Sequence, residues 1–153
     1  MSTKDTNIRR SYNDGCAAAH ALDLIGERWA LLVVRELMLG AKRFTDLRTD
    51  LPTISPNVLA QRLRDLEQAG ILQKKTLPPP AASDVYELTD WGRDLEPVLI
   101  HLGRWAVHSP FRPNAPVSLT SLILSFRTMF SSKAAAGLEA SYTLKLGDYC
   151  FAA

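Results

Sequence analysis

Apolar positions recur at helical spacing along most of this chain, break once into two short alternating runs, and then resume. From Cys16 to Ile25 the chain is rich in Ala and Leu and is closed by Gly26, which predicts a short helix ending at a glycine. A second helix is expected from near Glu27. Trp29, Leu32, Val33 and Leu37 share its buried stripe, Arg28, Arg35 and Glu36 are left to solvent, and Gly40 stops it. Phe44 to Arg48 reads as a short helix, because Phe44 and Leu47 lie three apart and Leu51-Pro52 ends the segment. Ser55-Pro56 is the cleanest start signal in the chain. A serine oxygen can accept from the first helical turn, and proline suits a position that needs no N–H. The helix that follows is expected from Pro56 to Ala69, with Leu59, Leu63 and Leu66 as its buried ridge, Val58 and Ala69 at one margin, and Gly70 as a left-handed cap.

Ile71 to Leu77 and Val85 to Leu88 then read as two strands bracketing a long tip stiffened by Pro78, Pro79 and Pro80. Thr89 caps a further helix carrying Leu95, Val98, Leu99, Leu102, Trp105 and Ala106, with Pro97 expected to bend or restart it. Ser109 to Pro116, with Pro110, Pro113 and Pro116, reads as a linker. Beyond it Leu119, Leu122, Ile123, Phe126 and Phe130 form a new helical stripe. Tyr142, Leu144 and Leu146 alternate as in a strand, and Gly147-Asp148 can turn it back toward Tyr149 and Phe151. A lone hairpin is marginal in water, so this one is expected to pack on something.

The element order predicts a mainly α fold with a small β-hairpin wing, a winged helix-turn-helix, plus a short α/β C-terminal extension. Four parts follow: a polar arm over residues 1–14, the winged helix-turn-helix over 15–108, the linker over 109–116, and a helix with a hairpin over 117–153.

Composition supports one compact core, with 46% hydrophobic and 22% charged residues in 153. The net charge of +2 does not by itself identify a partner, so the placement of charge must decide. Met1 to Asp14 carries Lys4, Arg9 and Arg10 with no apolar run behind them, unlike a secretory signal. No stretch reaches the roughly 20 apolar residues of a membrane span, since Leu31 to Val34 is closed by Arg35 and Glu36. A soluble cytoplasmic protein is the expectation. Cys16 and Cys150 stand far apart, without a CxxC pair or a metal-ligand spacing, so neither a metal nor another cofactor is expected.

The outer face of the serine-capped helix carries groups suited to duplex DNA. Asn57 and Gln61 can pair with adenine edges, and Arg64 can reach guanine or phosphate. Ser55 and the free amides beside it can hold a phosphate, while Lys42, Arg43, Arg48, Arg62, Lys74 and Lys75 supply the flanking positive charge. A polar helix face is also what plain solvation produces, and a winged helix with a proline-rich tip can serve protein contact instead. For catalysis the best pair is Cys16 with His20 at i, i+4. Nothing in the sequence supplies an oxyanion hole or an orienting group for it, so no catalytic residue is assigned.

Several segments resemble the HxlR-type winged helix-turn-helix regulators: Cys16 followed by ALDLIGERWALLVVRELMLG at Ala21 to Gly40, KRFTDLR at Lys42 to Arg48, ISPNVLAQRLRDLEQAGIL at Ile54 to Leu72, and VYELTDWGRDLEPVL at Val85 to Leu99, ending in Trp105. This resemblance covers about Gly15 to Val107. It implies a homodimer on a palindromic operator, acting as a repressor, with Cys16, Leu22, Leu95, Leu99, Leu102 and Trp105 at the two-fold interface. In some relatives a cysteine near the first helix senses oxidants or electrophiles. Cys16 occupies that place, and a small residue packed in the interface is the other reading of it. A small-molecule effector is left unassigned by the sequence. SLILSFRTMF and AAAGLEASYTLKLGD resemble the opening helix and hairpin of a sterol-carrier-type domain. A helix and a hairpin cannot enclose an apolar ligand, so they are read as covering exposed edges or extending the dimer.

Overall fold

Helix α1 (Ala17–Ile25) starts where Cys16 leaves extended backbone and ends at Gly26, where any side chain would run into the carbonyl of Leu22. The computed structural model describes residues 11–111, 114–146 and 149–152. Lys4, Arg9, Arg10, Pro113 and the expected turn at Gly147-Asp148 lie outside them. Helix α2 (Ala30–Leu37) begins three residues later than the periodicity suggests, because Trp29 takes left-handed backbone at φ +79°. The indole of Trp29 is partly buried against the core. The inward face of α2 comprises Ala30, Val33, Val34, Glu36 and Leu37, whereas Leu32 faces out. Two expectations are thus corrected: Leu32 is not in the stripe, and Glu36 is not wet but has 0% exposed surface.

Helix α3 (Phe44–Asp50) opens with the carboxylate of Asp46 accepting from the Arg43 N–H at 3.0 Å, and Leu51 and Ile54 carry the chain through the core to the next helix. In α4 (Pro56–Gln68) the Ser55 hydroxyl accepts from Val58 N–H at 3.3 Å. At the other end Ile71 N–H reaches Leu66 O and Gly70 N–H reaches Glu67 O, both at 2.9 Å. This paired closure requires the left-handed φ of +73° that Gly70 supplies. Leu59, Leu63 and Leu66 are at most 1% exposed, and each contributes roughly 1.5–3 kcal/mol by burial. Val58, expected at the margin, is exposed.

Strands β1 (Leu72–Thr76) and β2 (Asp84–Leu88) pair antiparallel, with Leu72 opposite Leu88 and Thr76 opposite Asp84. Lys42 adds a short bridge to β2, exchanging both backbone hydrogen bonds with Tyr86 at 3.0 and 2.8 Å. Thr89 caps α5 (Asp90–Arg93) through Gly92 N–H at 3.0 Å, and the helix then restarts as α6 (Glu96–Ala106), with Pro97 in the first turn where a missing donor costs nothing. The core gathers α2, α3, α4 and the base of the wing, a winged helix-turn-helix.

Helix α7 (Leu119–Met129), capped by Ser118, packs on α6 and α2. Its inward side is set by Thr120 and Leu124 rather than by the expected stripe. Phe126 and Phe130 are exposed, while Ser118 donates to Glu36 of α2 and Thr120 accepts from the Lys42 ammonium on the opposite, inward side. Arg104 Nε donates to Thr128 O at 2.8 Å, and Arg127 meets Glu96 at 2.6 Å. Strands β3 (Thr143–Leu146) and β4 (Tyr149–Ala152) form a second antiparallel pair. Among the described residues no helix is long and apolar enough to cross a membrane.

Candidate nucleic-acid interface

Burying Leu59, Leu63 and Leu66 turns the opposite face of α4 to solvent. Ser55, Asn57, Arg64 and Gln68 are exposed there, and Gln61 is half-buried between them. The polar groups of this face bond to one another. Arg64 donates to Gln61 Oε1 at 2.7 Å, and Gln61 Nε2 donates to Asp65 at 2.8 Å. A glutamine held at both ends keeps its amide in one plane, but must exchange these partners to meet a base edge.

Arg62, expected to face DNA, turns the other way. Its guanidinium pairs with Glu27 at 3.5 Å and Asp65 at 3.3 Å, and the side chain is only 15% exposed. The helical period places residue 62 beside the buried ridge rather than on the outer face. Lys42 is likewise not presented to a phosphate. Its ammonium lies 2.6 Å from Asp50, 3.2 Å from Glu36 and 2.9 Å from Thr120 Oγ1. Lys42 is drawn off by acidic groups that linear spacing did not reveal, and Arg62 by Glu27 together with Asp65, one helical turn on.

Lys74 and Lys75 do lie exposed on the wing, yet each has an anionic partner: Asp84 at 2.6 Å for Lys74, and Glu87 for Lys75. Thr76 and Gln73 donate to the same two carboxylates. The hydrogen bond and charge of Lys74 hold Asp84 below the usual carboxylate range, and Lys75 with Gln73 does the same for Glu87. Asp84 and Glu87 are the residues that sequence reasoning missed. The strand register was the available signal, since antiparallel pairing sets each lysine diagonally across from its carboxylate, one pair on each face of the hairpin. Such exposed pairs are screened and can exchange partners when a phosphate arrives. Arg43 and Arg48 are exposed at the two ends of α3.

Of the residues assigned to a dimer interface, Cys16, Leu22, Leu102 and Trp105 are exposed, Trp105 by 77%. Leu95 and Leu99 are partly buried against the core of their own chain. Cys16 is the N-cap residue of α1, and the backbone amides of Ala19 and Ala18 beside it hold its thiol below the ordinary range. That environment favours the thiolate.

Comparison with known proteins places this geometry. YdeP of Bacillus subtilis, an uncharacterised HTH-type transcriptional regulator, is 37% identical over 110 residues, covering 69% of this chain and 84% of its own. The HTH-type transcriptional regulator YodB of the same organism is 38% identical over 86 residues, covering 56% of this chain and 77% of its own. The structure of reduced YodB superposes with a TM-score of 0.57 at 35% identity, covering 63% of this chain and 98% of that one. The redox regulator HypR in its oxidised form does so at 0.58 and 30%, covering 63% and 100%. The pattern of the HxlR-like helix-turn-helix matches residues 24–111, more than half of the sequence, so the chain belongs to the HxlR-like helix-turn-helix family.

Proposed function

We propose that this chain regulates transcription, as a cytoplasmic repressor, by binding duplex DNA as a two-fold homodimer. In this reading α4 enters the major groove and the wing lies along the neighbouring backbone. The observation that carries it is the division of α4 into a leucine ridge locked in the core and an outward row of Ser55, Asn57 and Arg64. A helix fits that groove, and amide and guanidinium groups match base edges there. Arg43 and Arg48 flank the row, and Lys74 and Lys75 can exchange carboxylates for phosphates. A second copy is supported by α1 and α6, neither of which has a buried residue, so that Leu22, Leu102 and Trp105 are left in water by one chain alone. A dyad would set two copies of α4 about 34 Å apart, one turn of DNA. The reading includes no catalytic step and no cofactor.

Selection of bound duplexes from a random pool tests it. A palindrome should emerge, and affinity should fall with salt at a log-log slope of about 0.9 per contacted phosphate. No enrichment, or binding indifferent to salt, would sink the reading and favour a protein partner at the proline-rich tip.

Cys16 favours a second layer, thiol-dependent control of that binding. It is exposed at a helix N-terminus with a lowered pKa, and YodB has been described in quinone-bound and diamide-treated forms. Mild peroxide should weaken operator binding by the intact chain but not by Cys16→Ser. Equal loss in both proteins removes the idea.

A further inference from the structure

Four parts of the fold meet at Lys42. Its ammonium contacts Glu36 of α2, Asp50 of α3 and Thr120 of α7, while its backbone pairs with Tyr86 of the wing. Glu36 has no exposed surface. It is satisfied by Arg35, whose Nε and terminal nitrogen donate at 3.0 and 2.6 Å, and by the Ser118 hydroxyl at 2.6 Å. Ser118 and Thr120 belong to the C-terminal segment, beyond residue 111, where the family match ends. A buried charge that loses a hydrogen-bond partner cannot replace it from water while the site stays closed. The segment and the winged helix therefore share one polar network.

We propose that Lys42 and Glu36 are positioning residues of the DNA-reading unit, through which Ser118 and Thr120 of the C-terminal segment hold α3 and the wing in place beside α4. Its geometry stands alone; its consequence for binding rests on the function proposed above. α3 leads into α4 and the wing leaves it, so looseness in either shifts the flanking contacts relative to Asn57 and Arg64. Hydrogen bonds to a base tolerate only a few tenths of an ångström, which makes that looseness costly.

The full chain carrying Ser118→Ala and Thr120→Val is compared with the wild type by hydrogen exchange of the free protein and by duplex affinity against salt. Amides of α3, β1 and β2 should exchange about fivefold faster or more, because local opening becomes easier. Affinity should drop by roughly tenfold with an unchanged salt slope, since no phosphate contact is removed. Ser118→Thr with Thr120→Ser, which keeps both hydroxyls, should restore both readouts. Lys42→Met should weaken binding without lowering the slope. Should the double variant fail to fold, Thr120→Val alone is read in the same way. Faster exchange confined to α7, or undiminished affinity despite faster exchange in α3 and the wing, overturns the proposal. So does a Lys42→Met slope lower by about 0.9, which would make Lys42 a phosphate contact. If the wild type binds no duplex at all, the proposed function fails, while the exchange comparison still decides whether this network holds α3 and the wing.

Discussion

Lys74 Nζ and Asp84 Oδ2 stand 2.6 Å apart across the wing, so an exposed cation of β1 is neutralised by the strand beside it. Thr76 donates to the other oxygen of Asp84 at 2.8 Å, which keeps the carboxylate in position. Asp84→Asn removes the charge and retains the shape. Duplex affinity should rise in that variant, with a salt slope steeper by up to about 0.9, the value for one added phosphate contact. An unchanged slope would show that Lys74 never reaches the backbone.

The buried Glu36 carboxylate gives the fold a defined acid sensitivity. Burial pushes its pKa up, but the Ser118 hydrogen bond and the charges of Arg35 and Lys42 outweigh this and hold it below the usual glutamate range. A folded-state pKa below the unfolded one contributes stability above the unfolded value. That contribution is lost as pH falls from about 4.3 through the folded pKa. Urea midpoints measured from pH 7 to pH 3 should therefore fall less steeply for Glu36→Gln than for the wild type in the acid range, although Glu36→Gln starts lower at pH 7. Parallel profiles would mean that the carboxylate titrates alike in both states.

What the sequence made legible was local. As helix caps, Ser55-Pro56, Thr89 and Gly70 act on residues within four positions of themselves and stand where their chemistry placed them, although the Thr89 hydroxyl also donates to the distant carbonyls of Gly70 and Ile71. The charged positions that departed from expectation depend on partners outside their own helix. Glu36 is charged and lies next to Arg35, yet its burial is settled by Ser118, 82 residues away. Lys42 and Arg62 look like phosphate ligands until Asp50 and Glu27 are brought beside them. Periodicity places a residue on a face of its own helix but does not reveal what stands opposite.

Gly92 shows the same limit in the backbone. It is buried, and a Cβ there would run into the carbonyl oxygen of Ile71, which cannot swing aside as a side chain could. Gly92→Ala should destabilise the fold by about 1–3 kcal/mol through overpacking. A urea midpoint within error of the wild type would mean that α5 can lift away from β1 without loss.

In the proposed complex Arg64 either reads a base or only steadies the DNA backbone. Its guanidinium is exposed at the centre of the α4 face and is held toward Gln61 at 2.7 Å. If it pairs with guanine, Arg64→Ala should lose roughly 1–3 kcal/mol of discrimination at one position of each half-site. Affinities of the variant for operators mutated one position at a time measure this. A uniform loss at every position, with a shallower salt slope, would assign Arg64 to phosphate.

Trp105 tests the proposed dyad, on which half-site spacing would depend. Its indole is 77% exposed on α6, on the same helix as the half-exposed Leu102, and Leu22 of α1 is also half-exposed. Aromatic side chains anchor interfaces because one residue removes a large apolar area from water. Trp105→Glu puts a charge at that point, which a dry contact cannot hold without a partner. Light scattering at about 10 μM should then report a dimer for the wild type and a monomer for the variant, a range in which loss of even one anchor shifts a micromolar equilibrium. With two half-sites no longer engaged together, operator affinity should fall by roughly 10²–10⁴-fold while binding to a single half-site is retained. A variant that stays dimeric and binds its operator normally would move the two-fold axis away from α6.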